Sequence, residues 1–375
     1  MSRPTRLLAV TTAGLLCVGA AAPAVAHGKN PAPDGPTVVA SGLNMPRHLS
    51  AAPNGDLYVA ESGTGGTPGE DPCVEHPELG VVCLGTSGSV TQVSRKGGQT
   101  RVVTGLPSAG NAEEATGPFD VLVEGSKLVV VIGLGGNQET RDLLGGDAQL
   151  LGTVVSVRTK GPDRQPHVIG DPVAHEEDEN PAGPPVDSNP VDLAQGRGGS
   201  YVVTDAGGND VLSLRHGEIS TLAVLDPVLM DPPPFPPEGE WPVPFPADPV
   251  PTATAQGPDG AWYVSQLTGF PFQPGSSTIW RLEDGELEPY ATGLTNVTDL
   301  AWDGDTLYAV QLVDAGLLSG QMTGSLLRVS TDGQHETVAG DLLAPYGVAI
   351  DRGSAYVTTC SVCAGGGEVL RVPLG

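Results

Sequence analysis

Basic residues are scarce in this chain: 18 Lys and Arg stand against 44 Asp and Glu. A field of that sign repels nucleic acid and anionic lipid, which excludes both as partners. Aromatic residues make up only 4%. No long segment carries helical periodicity, and no stretch beyond the N-terminal one is apolar enough to cross a membrane. There is no H-E-x-x-H and no G-x-S-x-G. His27, His76, His167, His175, His216 and His335 are scattered through loops or the N-terminal tail, which argues against a zinc site. Gly133-Leu134-Gly135-Gly136 follows a strand, as a phosphate loop would. It lacks a helix pattern, a Lys-Ser/Thr pair and a later ribose-binding acid, so a nucleotide is not expected.

Cysteine is also sparse, five in 375 residues. Cys17 sits in an N-terminal segment with Arg3 and Arg6, an apolar run from Leu7 to Ala22, and the A-x-A site Ala24-Val25-Ala26. That reads as a signal peptide over 1–26, cleaved after Ala26, and places the mature chain outside the cell. Leu16 is too large for the position before a lipoprotein cysteine. Cys73, Cys83, Cys360 and Cys363 remain, and an even count in an oxidising compartment predicts two disulfides. The two loops that hold them predict the pairs Cys73–Cys83 and Cys360–Cys363, a cross-link between the loops being the rival. Cys360-Ser361-Val362-Cys363 has redox spacing but follows a strand, without the helix N-terminus that would activate a thiol. Removal of Arg3 and Arg6 leaves 16 basic and 44 acidic residues, a net charge of −28.

Glycine (53) and proline (36) are abundant, and a unit recurs six times. Each has a leading segment often bearing Pro, then an apolar strand, a tight turn and a second strand. The turns are Asn54-Gly55, Gly125-Ser126, Gly198-Gly199, Asp259-Gly260, Asp303-Gly304 and Arg352-Gly353, mostly hairpin dipeptides. The strands after them, such as Tyr201-Val202-Val203-Thr204 and Trp262-Tyr263-Val264-Ser265, are nearly continuous apolar runs, as expected where both faces of a sheet are covered. Third strands begin at Ser89, Thr153, Asp210, Ser277, Ser325 and Gly367. Five units then have a fourth strand, and the sixth lacks one. Thr37 to Leu43 resembles the fourth strands around Arg101–Leu106 and Pro289–Leu294.

The pattern predicts an all-β fold, a six-bladed β-propeller whose ring is closed by the N-terminal strand in the last blade. A flexible tail (27–35) precedes a single propeller (36–375). Its blades span about 44–106, 117–171, 188–225, 250–294, 296–342, and 344–375 plus 36–43. Between strands, Gly63 to Gly88 and Gly133 to Gly152 are expected as loops. The acidic run Glu176-Glu177-Asp178-Glu179, within 171–189, is expected as a short helix or a solvated turn. Residues 226–251 hold eleven prolines and are expected as an extended loop, too Pro-rich for strand or helix.

Several segments resemble those of the ScyD/ScyE family of secreted six-bladed propellers. They are Pro53-Asn54-Gly55-Asp56-Leu57-Tyr58-Val59-Ala60-Glu61, Val131-Ile132-Gly133-Leu134-Gly135-Gly136-Asn137, Asp187-Ser188-Asn189-Pro190, Thr204-Asp205-Ala206-Gly207-Gly208-Asn209-Asp210 and Gln266-Leu267-Thr268-Gly269-Phe270-Pro271-Phe272. Tyr201 to Asn209 is more distantly similar to NHL-type repeats. The resemblance implies fold and export and no reaction.

Two residues after each leading Pro, or after Val297, stand His48, Asp120, Asp192, Asp299 and Gly347, with Thr254 one residue out of step. Equivalent positions lie at one height in a propeller channel. Three carboxylates and an imidazole there suit a hard cation such as calcium, or a polar small ligand; turn-anchoring of the backbone is the bland alternative. Arg47, Asn189, Asn296 and Tyr346 are expected beside them. A second ring, Glu61, Asp205, Gln266, Gln311 and Thr359, is expected to be structural. Phe235, Trp241, Phe245, Phe270 and Phe272 concentrate in the loops of blades three and four. They either pack the Pro-rich loop or form a binding platform. The expected function is a monomeric, secreted binding or scaffold propeller without catalysis. Its partner would be a small molecule or a secreted or cell-surface protein. The alternative is a metal-dependent hydrolase, lactonase-like or lyase activity in the channel.

Overall fold

The computed structural model describes residues 35–76, 80–111, 113–162, 164–233 and 241–374. The expected signal peptide and the tail up to residue 34 lie outside them, as does Phe235.

The recurring unit is an antiparallel sheet. The described residues form six such sheets, five of four strands and one of six, plus a separate two-stranded ribbon. The innermost strands are Pro46–Ala51, Pro118–Glu124, Pro190–Gln195, Pro251–Gln256, Val297–Asp303 and Val348–Asp351. Each is followed by the turn expected from its dipeptide; Gly55 and Gly260 take φ of +86° and +88°, a region a side chain disfavours. The second strands are almost wholly buried: Val129, Val130, Val131 and Ile132 are each 0% exposed. Both faces pack because each sheet lies against its neighbours. The inner strands touch in chain order, and Val348–Asp351 touches Pro46–Ala51. This is β-propeller architecture. Thr37–Leu43 pairs antiparallel with Gly367–Pro373, with Thr37 opposite Arg371 and Leu43 opposite Gly367.

The insertions hold more regular structure than expected. Gly63 to Gly88 is not a plain loop. Cys73–His76 pairs with a strand extended to Gly80–Val93, and Cys73 lies directly opposite Cys83. After Gly133-Leu134-Gly135-Gly136 a helix does follow, α1 (Gln138–Leu144). It is too short for periodicity to show, and its signal is a cap. Asn137 accepts from the Thr140 N–H, and the Thr140 hydroxyl accepts in return from the Asn137 N–H. Within the acidic run, α2 (Pro172–Asp178) is capped by Asp171, whose carboxylate accepts from the Ala174 N–H. Buried Arg141 of α1 donates to both Asp171 oxygens, at 3.0 and 2.7 Å. The Pro-rich segment is not strand-free either: Val228–Met230 pairs with Phe245–Ala247. Each strand of that ribbon has one partner, and an edge position tolerates Pro246 without its N–H.

Both disulfides pair as expected, Cys73–Cys83 and Cys360–Cys363. Each closes a short local loop, so reduction is expected to remove no more than about 3 kcal/mol. Urea unfolding with and without reductant measures this. A larger loss, or a peptide linking the two loops in non-reducing digests, contradicts it.

Candidate functional site

The bulges in the inner strands build the site. In five of the six, the ladder register shifts just after the leading Pro or Val297. A bulge at the start of a strand re-aims the side chain that follows it. His48, Asp120, Asp192 and Asp299 thereby converge, at 1%, 4%, 5% and 6% exposure. They floor a channel cavity of about 250 Å³, with Thr254, Gln256 and Trp262 among its other lining residues.

Each carboxylate spends an oxygen on the neighbouring blade. Asp120 Oδ2 accepts from the Leu193 N–H (3.2 Å), and Asp192 Oδ2 from the Thr254 N–H and hydroxyl (2.6 and 3.1 Å). Asp299 Oδ2 accepts from the Val348 N–H (2.6 Å), while its Oδ1 takes the Leu300 N–H (2.7 Å). Hydroxyls extend this stitching: Thr252 donates to Val297 O, Thr298 to Tyr346 O and Thr358 to Arg47 O. His48 Nδ1 lies 3.2 Å from Asp192 Oδ1 and 3.7 Å from Asp299 Oδ2.

Burial by itself would depress the imidazole. The charges of Asp299 and Asp192, with the hydrogen bond to Asp192, overcome that and push His48 up to about 9. Its Nδ1 faces the carboxylates, while Nε2 is buried without a hydrogen-bond partner. Burial, then the Asp192 charge, pushes Asp120 up to about 8, with His48 pulling the other way. Asp299 is pushed up to about 7 by burial, again opposed first by His48. The floor is one fixed cation among three carboxyl groups. One ligand atom each from His48, Asp120 and Asp192 lies within 4.8 Å of the others.

Of the flanking residues, Arg47 and Tyr346 back His48. The Arg47 guanidinium sits 4.9 Å from the ring centres of both Phe119 and Tyr346, and Tyr346 meets His48 edge-on at 5.2 Å. Arg47 also donates to Ser62 Oγ and Ala115 O. Asn189 Oδ1 accepts from the Leu134 N–H, and Asn296 Nδ2 donates to Leu267 O. These four residues brace the floor and are absent from the cavity lining. Gly347 is held to glycine by space, since a Cβ would lie 2.7 Å from Arg47 O.

The second ring fastens blades. Glu61 accepts from the Asn44 N–H, Ser89, Thr91 and Arg101. Asp205 accepts from Ser188 and from the N–H groups of Asn189, Gly207 and Gly208. Gln311 Oε1 takes the Thr295 N–H. The aromatic residues form a cluster: Trp241, Phe245 and Phe270 have ring centres 5.6–5.9 Å apart, and Phe272 lies 6.4 Å from Phe270. They tie the Pro-rich segment to the loop of the next blade.

One group of acids escaped sequence reasoning. Glu176 and Asp210 are fully buried, and none of their four carboxylate oxygens has a hydrogen-bond partner. The only available signal was helical: Val173 and Glu176 lie one turn apart, so a helix there turns that acid inward and leaves Glu177, Asp178 and Glu179 outside.

No protein-family model matches the chain, and no curated protein is similar to it in sequence. Solved structures are similar in fold. An oxidoreductase (glucose dehydrogenase) of Thermus thermophilus aligns with 17% identity and a TM-score of 0.50, over 90% of this chain and 98% of that one. The PQQ-bound aldose sugar dehydrogenase of Streptomyces coelicolor aligns with 14% identity and the same TM-score, over 91% and 98%. Virginiamycin B lyase of Staphylococcus aureus aligns with 10% identity and a TM-score of 0.47, over 91% and 98%. Likeness at these identities shows the β-propeller fold and carries no activity with it.

Proposed function

We propose that this chain is an exported, monomeric six-bladed propeller that acts as a binding protein, holding a small hydroxyl- or ammonium-bearing ligand in its channel. Six sheets with inner strands in ring order support the blade count. The pairing of Thr37–Leu43 with Gly367–Pro373 supports closure by the N-terminal strand. The signal-peptide pattern, the two disulfides and the ScyD/ScyE resemblance support export and family.

The observation that carries binding over catalysis is the anchoring of the ring: each aspartate is bonded to the next blade's backbone, and His48 Nδ1 faces Asp192 and Asp299. Burial pushes the Tyr346 phenol up to about 12, which removes it as a base. Carboxyl groups on the floor can pair with ligand O–H or N–H groups, and Trp262 is among the other lining residues. The cavity of about 250 Å³ falls below the range of about 300–1,000 Å³ typical of drug-sized ligands, so the ligand is small.

The alternative, a metal-dependent hydrolase, lactonase or lyase, has two observations in its favour: the spacing of the His48, Asp120 and Asp192 ligand atoms, and the buried His48 Nε2 without a hydrogen-bond partner. A screen of polyols, sugars and small amines by thermal shift and calorimetry separates the two. Binding without turnover, weakened at least tenfold by Asp192→Asn, is the expected result. Turnover of lactones or esters that needs an added divalent cation and is lost in Asp192→Asn would establish the alternative instead.

A further inference from the structure

Away from the channel, α2 lies over the loop 206–209 and the first residue of the strand Asp210–Arg215. We propose that this place is a calcium site, with the Glu176 and Asp210 carboxylates as its charged ligands.

Both side chains are 0% exposed, and their four oxygens accept nothing. A buried carboxylate without a donor or cation costs several kcal/mol, so it is either neutralised by a proton or matched by a cation. Among the described residues no Lys or Arg pairs with either group; Arg141, the buried cation of α1, is spent on Asp171.

The geometry fits an ion. One ligand atom each from His175, Glu176 and Asp210 lies within 4.8 Å of the others. That is the width of a coordination shell with ligands at about 2.4 Å, the calcium distance. Gly207 and Gly208 keep the space open. A Cβ on Gly208 would stand 2.9 Å from Glu176 Oε1 and 3.3 Å from Asp205 Cγ, and one on Gly207 would stand 3.1 Å from Asp187 Cγ. Glu176 and Asp205 therefore flank Gly208, and Asp187 flanks Gly207.

The site is also held in place. Asp205 takes four donors and pins the loop. His175 Nε2 bonds Thr221 Oγ1 at 2.8 Å, which ties α2 to the outer strand of the next blade. Carboxylate oxygens favour a hard cation over zinc. Magnesium needs a tighter octahedral shell at about 2.0–2.1 Å.

The test uses the full mature chain after chelator dialysis, titrated with CaCl2, MgCl2 and ZnCl2 by calorimetry and thermal shift. One calcium per chain and a rise in melting temperature of several degrees are expected, with magnesium weaker. Glu176→Gln and Asp210→Asn should each weaken calcium binding at least tenfold. Glu179→Gln, on the exposed side of α2, and Asp192→Asn in the channel should leave it unchanged. If calcium neither binds nor stabilises, or binds equally well to both site variants, the proposal is wrong and the acids are held as protonated carboxyls. If binding is lost with Asp192→Asn alone, the ion belongs to the channel and the proposal again fails. Should the site variants not fold, anomalous diffraction from a terbium-soaked wild-type crystal decides: a peak between Glu176 and Asp210 upholds the site, and its absence there overturns it.

Discussion

A chain beginning at Asn44 is expected to lose most of its stability relative to one beginning at Gly35. The seven residues Thr37–Leu43 form the outer strand of the last sheet. Leu43 is 0% exposed and Ala40 4%, and they pack in one cluster with Leu49, Val59, Ala349 and Val369. Burying a Leu contributes about 1.5–3 kcal/mol, and each ladder bond about 0.5–1.5. Side-chain ties go as well: Gln99 bonds both the N–H and the carbonyl of Ser41, and Arg101 donates to Gly42 O. The sum is at least about 5 kcal/mol, the lower end of a whole domain's stability of about 5–15 kcal/mol. The freed edge of Gly367–Pro373 would also invite aggregation. Chemical unfolding of both chains, with Leu43→Ala as an intermediate case losing about 2–5 kcal/mol, provides the measurement. Equal midpoints for the long and short chains would rule out ring closure by this strand.

The second large effect is expected from His48→Leu, which leaves the Asp192 and Asp299 carboxyls without their cation. Breaking a buried pair by removing one partner costs about 3–5 kcal/mol. It also changes the pH dependence. The imidazole is held up to about 9 in the fold, above its ordinary value of 6.5. Its contribution is therefore fully present below about pH 6.5 and lost as pH rises through about 9. Asp120, pushed up to about 8, and Asp299, to about 7, act in the same sense. The folded state keeps protons that the unfolded chain has released, so wild-type stability declines from roughly pH 4 toward pH 9. Proton NMR titration of His48 reads the imidazole directly: it should keep its proton through neutral pH and release it near pH 9. An imidazole that titrates at or below 6.5 would mean that His48 is neutral in the fold.

The blades could be read from sequence because each is made of neighbours. The turn dipeptides, the apolar second strands and the third strands at Ser89, Thr153, Asp210, Ser277 and Gly367 fall within one hairpin's reach. The missing fourth strand pointed to Thr37–Leu43 because a sheet edge cannot stay open cheaply. The local disulfides followed from the same logic. Short elements inside insertions did not show. Seven residues of α1 and three of Val228–Met230 are too few for a period to emerge, whereas the helix α2 was one of the two readings open for 171–189.

The alignment of His48, Asp120, Asp192 and Asp299 at one height was a matter of sequence alone, since a repeat puts equal positions at equal places. What they do there was not. The stitching of Asp120 to Leu193 and Asp299 to Val348, and the central imidazolium, depend on how one blade faces the next. The roles of Arg47, Asn189, Asn296 and Tyr346 as braces were decided the same way. So was the pairing of Glu176 with Asp210, 34 positions apart, where four acids in a row were open to either a short helix or a solvated turn. Hydrophobic period and turn chemistry act along the chain, over a few residues, and are written in it. Charge, burial and ligand geometry act through space, and only packing sets which distant carboxylates share a volume from which water is excluded.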